Sequence, residues 1–535
     1  MGTSAANKEN FKGSRIEPWK QKELYFLVTY AFVFYVIIIR RSLQLSHDYG
    51  KQLFGLRPGW LIPRQLNDVT DAQWRNLRGN IPVLTVVFGI FTLLANLMRP
   101  FFNLKVGGMS IIWLLFSLTY LSYLHGACII FVLSIATVNF LLVKIFAQKK
   151  YFPLVIWSYN SFFLVCNRIY EGYSFSIFGQ QWAFLDNFRG TFRWHICFNF
   201  VVLRMISFGF DYHWRNQDSH FDMEKHCKRC LICKSGKSCY QALQESRLQN
   251  DKFSYTTYLC YLLYAPLYIA GPILSFKAFA SQLEVPQNTH SVKNVALYGF
   301  RWLFSLLLME LMTHLFYYNS FANSGLWKHM SPMDIFIIGY GVLNFMWLKF
   351  LLIWRFFRFW SLKFRYVYIP LGGSQKKLLN VWVVFTFVAI WHDLEWKLLS
   401  WAWLTCLFFI PELALKSAAN AFQVKHILAF LLQSSIVPKS LIFLFDIKLN
   451  VVHQAESSFG EFIFREISAV AGAITITSLM VANLVGFVIG PKGINWLLDS
   501  FLSKEGLPVL GAMFITFYVG TKLMFHIEEA RKRSC

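Results

Sequence analysis

Apolar runs at or near membrane-spanning length return along the whole of this chain. About 20 apolar residues, rising 1.5 Å each, cross the roughly 30 Å hydrocarbon core of a bilayer. The runs are Leu24–Ile39, Ile81–Met98, Met109–Phe146, Phe152–Cys166, Ile196–Phe210, Tyr255–Phe276, Val295–Tyr318, Ile335–Trp354, Leu378–Trp391, Leu398–Leu413, Val424–Leu449, Ile467–Ile489 and Leu507–Phe525. Met109–Phe146 is of double length and is interrupted at His125–Gly126, so it holds two short spans or one span and a re-entrant piece. The tally is roughly eleven to thirteen spans. A helix satisfies its backbone hydrogen bonds within one segment, which lipid demands. The expected fold class is therefore all-α, a polytopic transmembrane helical bundle. With 56% hydrophobic residues, disorder is excluded as the main state.

The chain carries 52 Lys and Arg against 28 Asp and Glu, a net charge of +24. Nucleic acid is not the expected partner. The basic residues form short clusters beside apolar runs, at Lys149–Lys150, Arg355 and Arg358, Lys376–Lys377 and Arg531–Lys532–Arg533. That is the pattern of cytosolic loops and of contacts with anionic lipid headgroups. The reading divides the chain into a polar N-terminal segment (1–23), a multi-span membrane domain (24–525) and a basic C-terminal tail (526–535). Leu24–Ile39 has no small-residue cleavage site behind it and reads as an uncleaved anchor.

One polar stretch interrupts the membrane domain, at residues 211–252. It holds Cys227, Cys230, Cys233 and Cys239, preceded by His226. Thiolates at this spacing are weak candidates for a tetrahedral Zn2+ site. Reduced, solvated thiols and thiols acylated near the membrane are the competing readings. Upstream of Phe276, the segment Tyr264-Ala265-Pro266-Leu267-Tyr268-Ile269-Ala270-Gly271-Pro272 breaks an apolar run. A proline in lipid frees a carbonyl, so the segment turns into the protein, lines a cavity or kinks a structural helix.

Titratable residues at membrane depth are costly and face a partner or a cavity. Glu310 and His314 are four apart on one helix face, as a catalytic pair or as glue between helices. Arg204 and Lys349 are expected to snorkel or to pair internally. His392 ends the apolar run Phe385-Thr386-Phe387-Val388-Ala389-Ile390-Trp391-His392. A neutral imidazole there is a good general base, and a lone histidine at a helix end is also commonly structural.

The motif Tyr366-Val367-Tyr368-Ile369-Pro370-Leu371-Gly372-Gly373-Ser374, followed some twenty residues later by Trp391-His392, resembles the membrane-bound O-acyltransferase family. The Pro-broken segment at 264–272 and Trp354-Arg355-Phe356-Phe357-Arg358-Phe359-Trp360 resemble its branch of glycerol-uptake-protein homologues and hedgehog acyltransferases. The resemblance implies that His392 lies in a tunnel through the membrane core. There it would activate an acceptor hydroxyl or amine for attack on the thioester of acyl-CoA, the co-substrate, with no cofactor. It implies an endoplasmic reticulum membrane protein acting among membrane lipids on a lysolipid or glycosylphosphatidylinositol (GPI)-linked acceptor. A protein N-terminus, as in the hedgehog branch, is the alternative acceptor.

The chain departs from the family pattern at one place. Relatives carry a few dozen residues, with a second catalytic polar residue, between the arginine-aromatic motif and Tyr-x-Tyr-Ile-Pro-Leu-Gly-Gly. Here Phe359-Trp360-Ser361-Leu362 joins Lys363-Phe364-Arg365-Tyr366 directly. Asp393 and Glu395 follow His392 too closely to replace that residue and read as a polar loop. An inactive scaffold isoform lacking the segment between Leu362 and Lys363 is therefore one alternative function. A transport-associated protein for a polyol such as glycerol is another.

Overall fold

A computed structural model describes residues 18–101, 106–216, 223–234, 248, 250–284, 292–360, 377–392, 395–421, 449–491 and 493–534. The helices in chain order are α1 (Pro18–Tyr49), α2 (Ala72–Phe101), α3 (Val106–His125), α4 (Ile129–Phe146), α5 (Phe152–Ile169), α6 (Trp194–His213), α7 (Met223–Arg229), α8 (Leu231–Lys234), α9 (Tyr255–Leu263) and α10 (Ala265–Tyr268). They continue as α11 (Phe276–Glu284), α12 (Val292–Leu315), α13 (Tyr318–Ser324), α14 (Pro332–Trp360), α15 (Lys377–His392), α16 (Trp396–Ala421), α17 (Leu449–Leu484), α18 (Gly493–Phe501) and α19 (Gly506–Ser534). One antiparallel hairpin, β1 (Leu56–Pro58) with β2 (Leu66–Asp68), is the only sheet among the described residues.

Eight described helices are long and apolar enough to cross a membrane. Among the described residues the count departs from eleven to thirteen at identifiable places. The run Tyr255–Phe276 breaks into α9 and the four-residue α10. The run Leu378–Trp391 becomes the 16-residue α15, shorter than a full span. Most of Val424–Leu449 lies outside the described residues. At the two ends, α1 starts at Pro18 and α19 runs through the basic tail to Ser534.

The described residues form two compact units. The first comprises Phe54–Ser320 and Asn344–Leu399. Its core is aromatic, with Phe88, Phe198, Phe208, Tyr258, Tyr261, Tyr268 and Phe357 fully or almost fully buried. Lipid offers no hydrophobic drive between helices, so close ring packing carries the association. The second unit comprises Met1–Leu53, Phe321–Leu343 and Ser400–Cys535. There Ser331 caps α14, accepting from the Asp334 amide and donating to its carboxylate, and Pro332 occupies the first turn. Arg41 grips Asp334 with two hydrogen bonds of 2.7 and 3.0 Å. Lys522 pairs with Glu23 at 2.5 Å and also with Glu466, tying α1, α17 and α19 together.

Two breaks shape the first unit. Met109–Phe146 forms two helices, α3 and α4, parted at Gly126, whose φ is +58°. A Cβ there would collide with the Phe188 carbonyl. The 3-10 segment Gln180–Phe188 docks into this gap, its Phe188 carbonyl accepting from the Ala127 amide at 2.9 Å. The other break separates α9 from α10 at Tyr264–Pro266. Arg204, buried on α6, donates to the carbonyls of Tyr261 (3.3 Å), Leu262 (2.7 Å) and Leu267. Those are carbonyls the broken helix leaves open, and the guanidinium fork suits several acceptors at once. Arg204 thus pairs internally rather than snorkelling. Lys349 also pairs internally, with Asp71 at 2.7 Å.

Candidate active site

The end of α15 is held by side chains from two other helices of the same unit. Packing of Gly209 against Phe152 and Ile156 sets α5 and α6 antiparallel, which brings the end of α5 beside the start of α6. Arg168, at the end of α5, donates through Nη2 to the carbonyls of Trp391 (3.1 Å) and His392 (2.5 Å). Asn199, on α6, donates through Nδ2 to the Trp391 carbonyl at 2.5 Å. The Trp391 indole N–H donates back to the Asn199 carbonyl at 2.9 Å.

The final carbonyls of a helix have no intrahelical donor, and a cation there also meets the negative end of the helix dipole. Arg168 supplies both. Trp391 is pinned by a reciprocal pair of hydrogen bonds and stands edge-on to Phe200, with centroids 5.1 Å apart. The His392 ring lies next to that of Trp391 at 4.8 Å and 79°. Its side chain is exposed while Trp391 is half-buried, so the backbone is fixed and the imidazole remains accessible.

Polar groups without protein partners cluster in these same elements. Both side-chain polar atoms of Asn167 and the Oδ1 of Asn199 are buried with no hydrogen bond among the described residues. Asn167 is 1% exposed. Such groups cost free energy unless water or a polar guest satisfies them. The sequence reading did not single out Arg168, Asn167 or Asn199. A signal existed in Asn199, a polar residue inside the apolar run Ile196–Phe210.

Glu310 and His314 are engaged elsewhere in the unit. The His314 Nδ1–H donates to the Glu310 backbone carbonyl at 2.7 Å. Its Nε2 accepts from the amides of Trp60 (3.3 Å) and Leu61 (3.4 Å). The Glu310 carboxylate accepts from the Trp60 indole at 3.0 Å and from Arg78 at 2.5 Å. Both imidazole nitrogens are thus engaged, Nδ1 on its own helix and Nε2 in seating the β1–β2 loop. Gly59 lets that loop approach, since a Cβ would stand 2.7 Å from the His314 ring. This is the geometry of glue between elements, with no open imidazole nitrogen for proton transfer.

Of the cysteine cluster, Cys230 and Cys233 come together with His226, their ligand atoms all within 4.8 Å of one another. Cys227 does not join this group, and Cys239 lies outside the described residues. The motif Tyr366–Ser374 and Asp393 also lie outside them. Glu395 is paired with Lys397 at 2.6 Å, as a polar loop requires.

Similarity to known proteins follows the sequence motifs. The profile of the membrane-bound O-acyltransferase family matches residues 183–364 and 363–449, two segments that meet at the Leu362–Lys363 join. The chain is 30% identical to membrane-bound O-acyltransferase gup1 of Schizosaccharomyces pombe, over 88% of this chain and 82% of that protein. It is 28% identical to membrane-bound O-acyltransferase GUP1 of Saccharomyces cerevisiae, over 96% of this chain and 92% of the relative. That alignment runs over 563 positions against the 535 residues here, so the relative carries positions without a counterpart. Mouse protein-cysteine N-palmitoyltransferase HHAT is 29% identical over 34% of this chain and 44% of its own length.

Proposed function

The chain belongs to the membrane-bound O-acyltransferase family, a multi-pass membrane protein, and from that premise we propose that it moves a long-chain acyl group from acyl-CoA to a lysolipid, of the GPI-anchor type, in the endoplasmic reticulum membrane. The observation that carries this reading is the accessible His392 on a clamped helix end. An acyl transfer to a hydroxyl needs a base, an aligned nucleophile and stabilisation of the developing oxyanion.

In the proposed reaction the His392 imidazole takes the acceptor's hydroxyl proton. The hydroxyl oxygen adds to the thioester carbonyl carbon. The tetrahedral intermediate collapses as the carbon–sulfur bond breaks, and the CoA sulfur leaves with the proton from the imidazolium. Arg168 and Asn199 act through the backbone, keeping the Trp391–His392 turn in place. Misplacing a catalytic group by about 1 Å costs on the order of 10²-fold in rate, so this positioning is worth the two helices it employs. The test is transfer of label from long-chain acyl-CoA to a lysolipid by membranes bearing the chain. His392→Ala should abolish transfer while expression persists, and undiminished transfer would remove His392 from the role.

A second reading has its own observation. The family profile breaks in two where the chain passes directly from Leu362 to Lys363. This favours an isoform that keeps the base and lacks its partner residue. Inserting the corresponding stretch of a relative between Leu362 and Lys363 should then create transfer where the present chain has none. Equal transfer by both forms would dismiss this reading.

A further inference from the structure

The polar loop between α6 and α9 contains a cluster that the acyl-transfer chemistry does not use. The backbone amide of Cys230 donates to the His226 carbonyl at 2.9 Å, and that of Lys234 to the Cys230 carbonyl at 2.9 Å. These i to i−4 bonds carry the helical register from α7 into α8. His226, Cys230 and Cys233 are thereby positions i, i+4 and i+7 of one helical path, which a 3.6-residue turn places on one face. All three are half-buried, and their ligand atoms lie within 4.8 Å of one another. The neighbouring carboxylate of Glu224 is tied to Lys228 at 2.6 Å.

The geometry points to a Zn2+ site formed by the imidazole of His226 and the thiolates of Cys230 and Cys233, with the fourth position open to water or another donor. One nitrogen and two sulfurs are a donor set that suits this borderline-soft ion. Tetrahedral bonds of about 2.3 Å to sulfur and 2.0–2.1 Å to nitrogen place ligand atoms roughly 3.5–3.8 Å apart. The present spacing needs about 1 Å of closure, within reach of side-chain rotation. Binding releases the two thiol protons, and the metal then bridges two adjoining turns of the loop helix.

The test uses the full chain, purified without a polyhistidine tag in lipid nanodiscs. Metal content is read by mass spectrometry, and Co2+ substitution reads the coordination geometry by visible absorption. We expect about one zinc per chain, with tetrahedral, thiolate-bearing Co2+ spectra after exchange. Cys230→Ser and Cys233→Ser should each lower retained zinc about tenfold or more, and His226→Ala similarly. Cys227→Ser should retain it. Size-exclusion profiles identical to the parent chain keep misfolding from imitating the result. A parent chain that holds no zinc after exposure to the ion overturns the site. So does a loss in Cys227→Ser equal to that in Cys230→Ser, or thioester-linked acyl groups occupying Cys230 and Cys233 in place of metal.

Discussion

Arg168→Ala leaves the His392 carbonyl at the end of α15 open and takes one of two side-chain donors from the Trp391 carbonyl. Its Nη2 bonds to Trp391 (3.1 Å) and His392 (2.5 Å) are charge-assisted, worth roughly 1.5 kcal/mol each at the low end. Arg168 is half-buried, so solvent replaces part of that contribution, and about 2 kcal/mol in total is the working figure. Asn199 and the Trp391 indole bond remain and hold Trp391, so the loss concentrates on the final turn. At 1.36 kcal/mol per tenfold, opening of that turn becomes about 30-fold more frequent. The assay is amide hydrogen exchange, followed by mass spectrometry, on a peptide covering residues 385–392 in nanodiscs. Exchange should accelerate about 30-fold there and stay unchanged in α12. Arg168→Lys, a point charge without the fork, should recover part of the protection. Unchanged exchange at 385–392 in a folded Arg168→Ala chain would refute the clamp.

Other consequences follow from the breaks and the loop. Gly126→Ala forces a Cβ into a left-handed position against Phe188 and should lower the thermal midpoint in detergent by several degrees, a loss of about 2 kcal/mol or more. Arg204→Leu strands the carbonyls of Tyr261, Leu262 and Leu267 and should cost about 3 kcal/mol or more, read as loss of the monodisperse size-exclusion peak; Arg204→Lys should fall between the two. Asp186 sits in the loop before α6. Burial raises its pKa, but hydrogen bonds from Ser174, Arg189 and the Phe175 amide outweigh that and hold it at about 2. A depressed carboxyl stabilises the fold above its unfolded pKa near 4, and that contribution disappears as the pH falls through about 2. Proteolysis of this loop should therefore accelerate between about pH 4 and 2 in the parent chain, and Asp186→Asn should be faster at neutral pH with no such acid step.

The bundle was legible because hydrophobic run length is a direct consequence of bilayer thickness. Leu24–Ile39, Ile335–Trp354 and Leu507–Phe525 all fall within long helices. The break at Tyr264–Pro266 was also legible, since proline punctuates any helix. What satisfied it was not, because Arg204 is some 60 residues away and its partners are backbone atoms, which carry no sequence signature. His392 was visible through its neighbours Trp391 and the upstream glycine motif. Arg168 left no signature for the same reason as Arg204's partners, since it acts on carbonyl groups, whereas Asn199 showed only as a polar residue inside an apolar run. For Glu310 and His314, spacing alone gave a correct shared face. It could not reveal that Trp60 and Leu61 from the β1–β2 loop occupy the imidazole.

The central claim rests on one imidazole, and one comparison tests it. The parent chain and His392→Ala, matched for amount in nanodiscs, are given labelled long-chain acyl-CoA and a lysolipid acceptor. The account predicts time-dependent label in the acceptor for the parent and none above background for His392→Ala. Equal labelling by the two, or none by the parent while a chain lengthened at Leu362–Lys363 transfers normally, contradicts it.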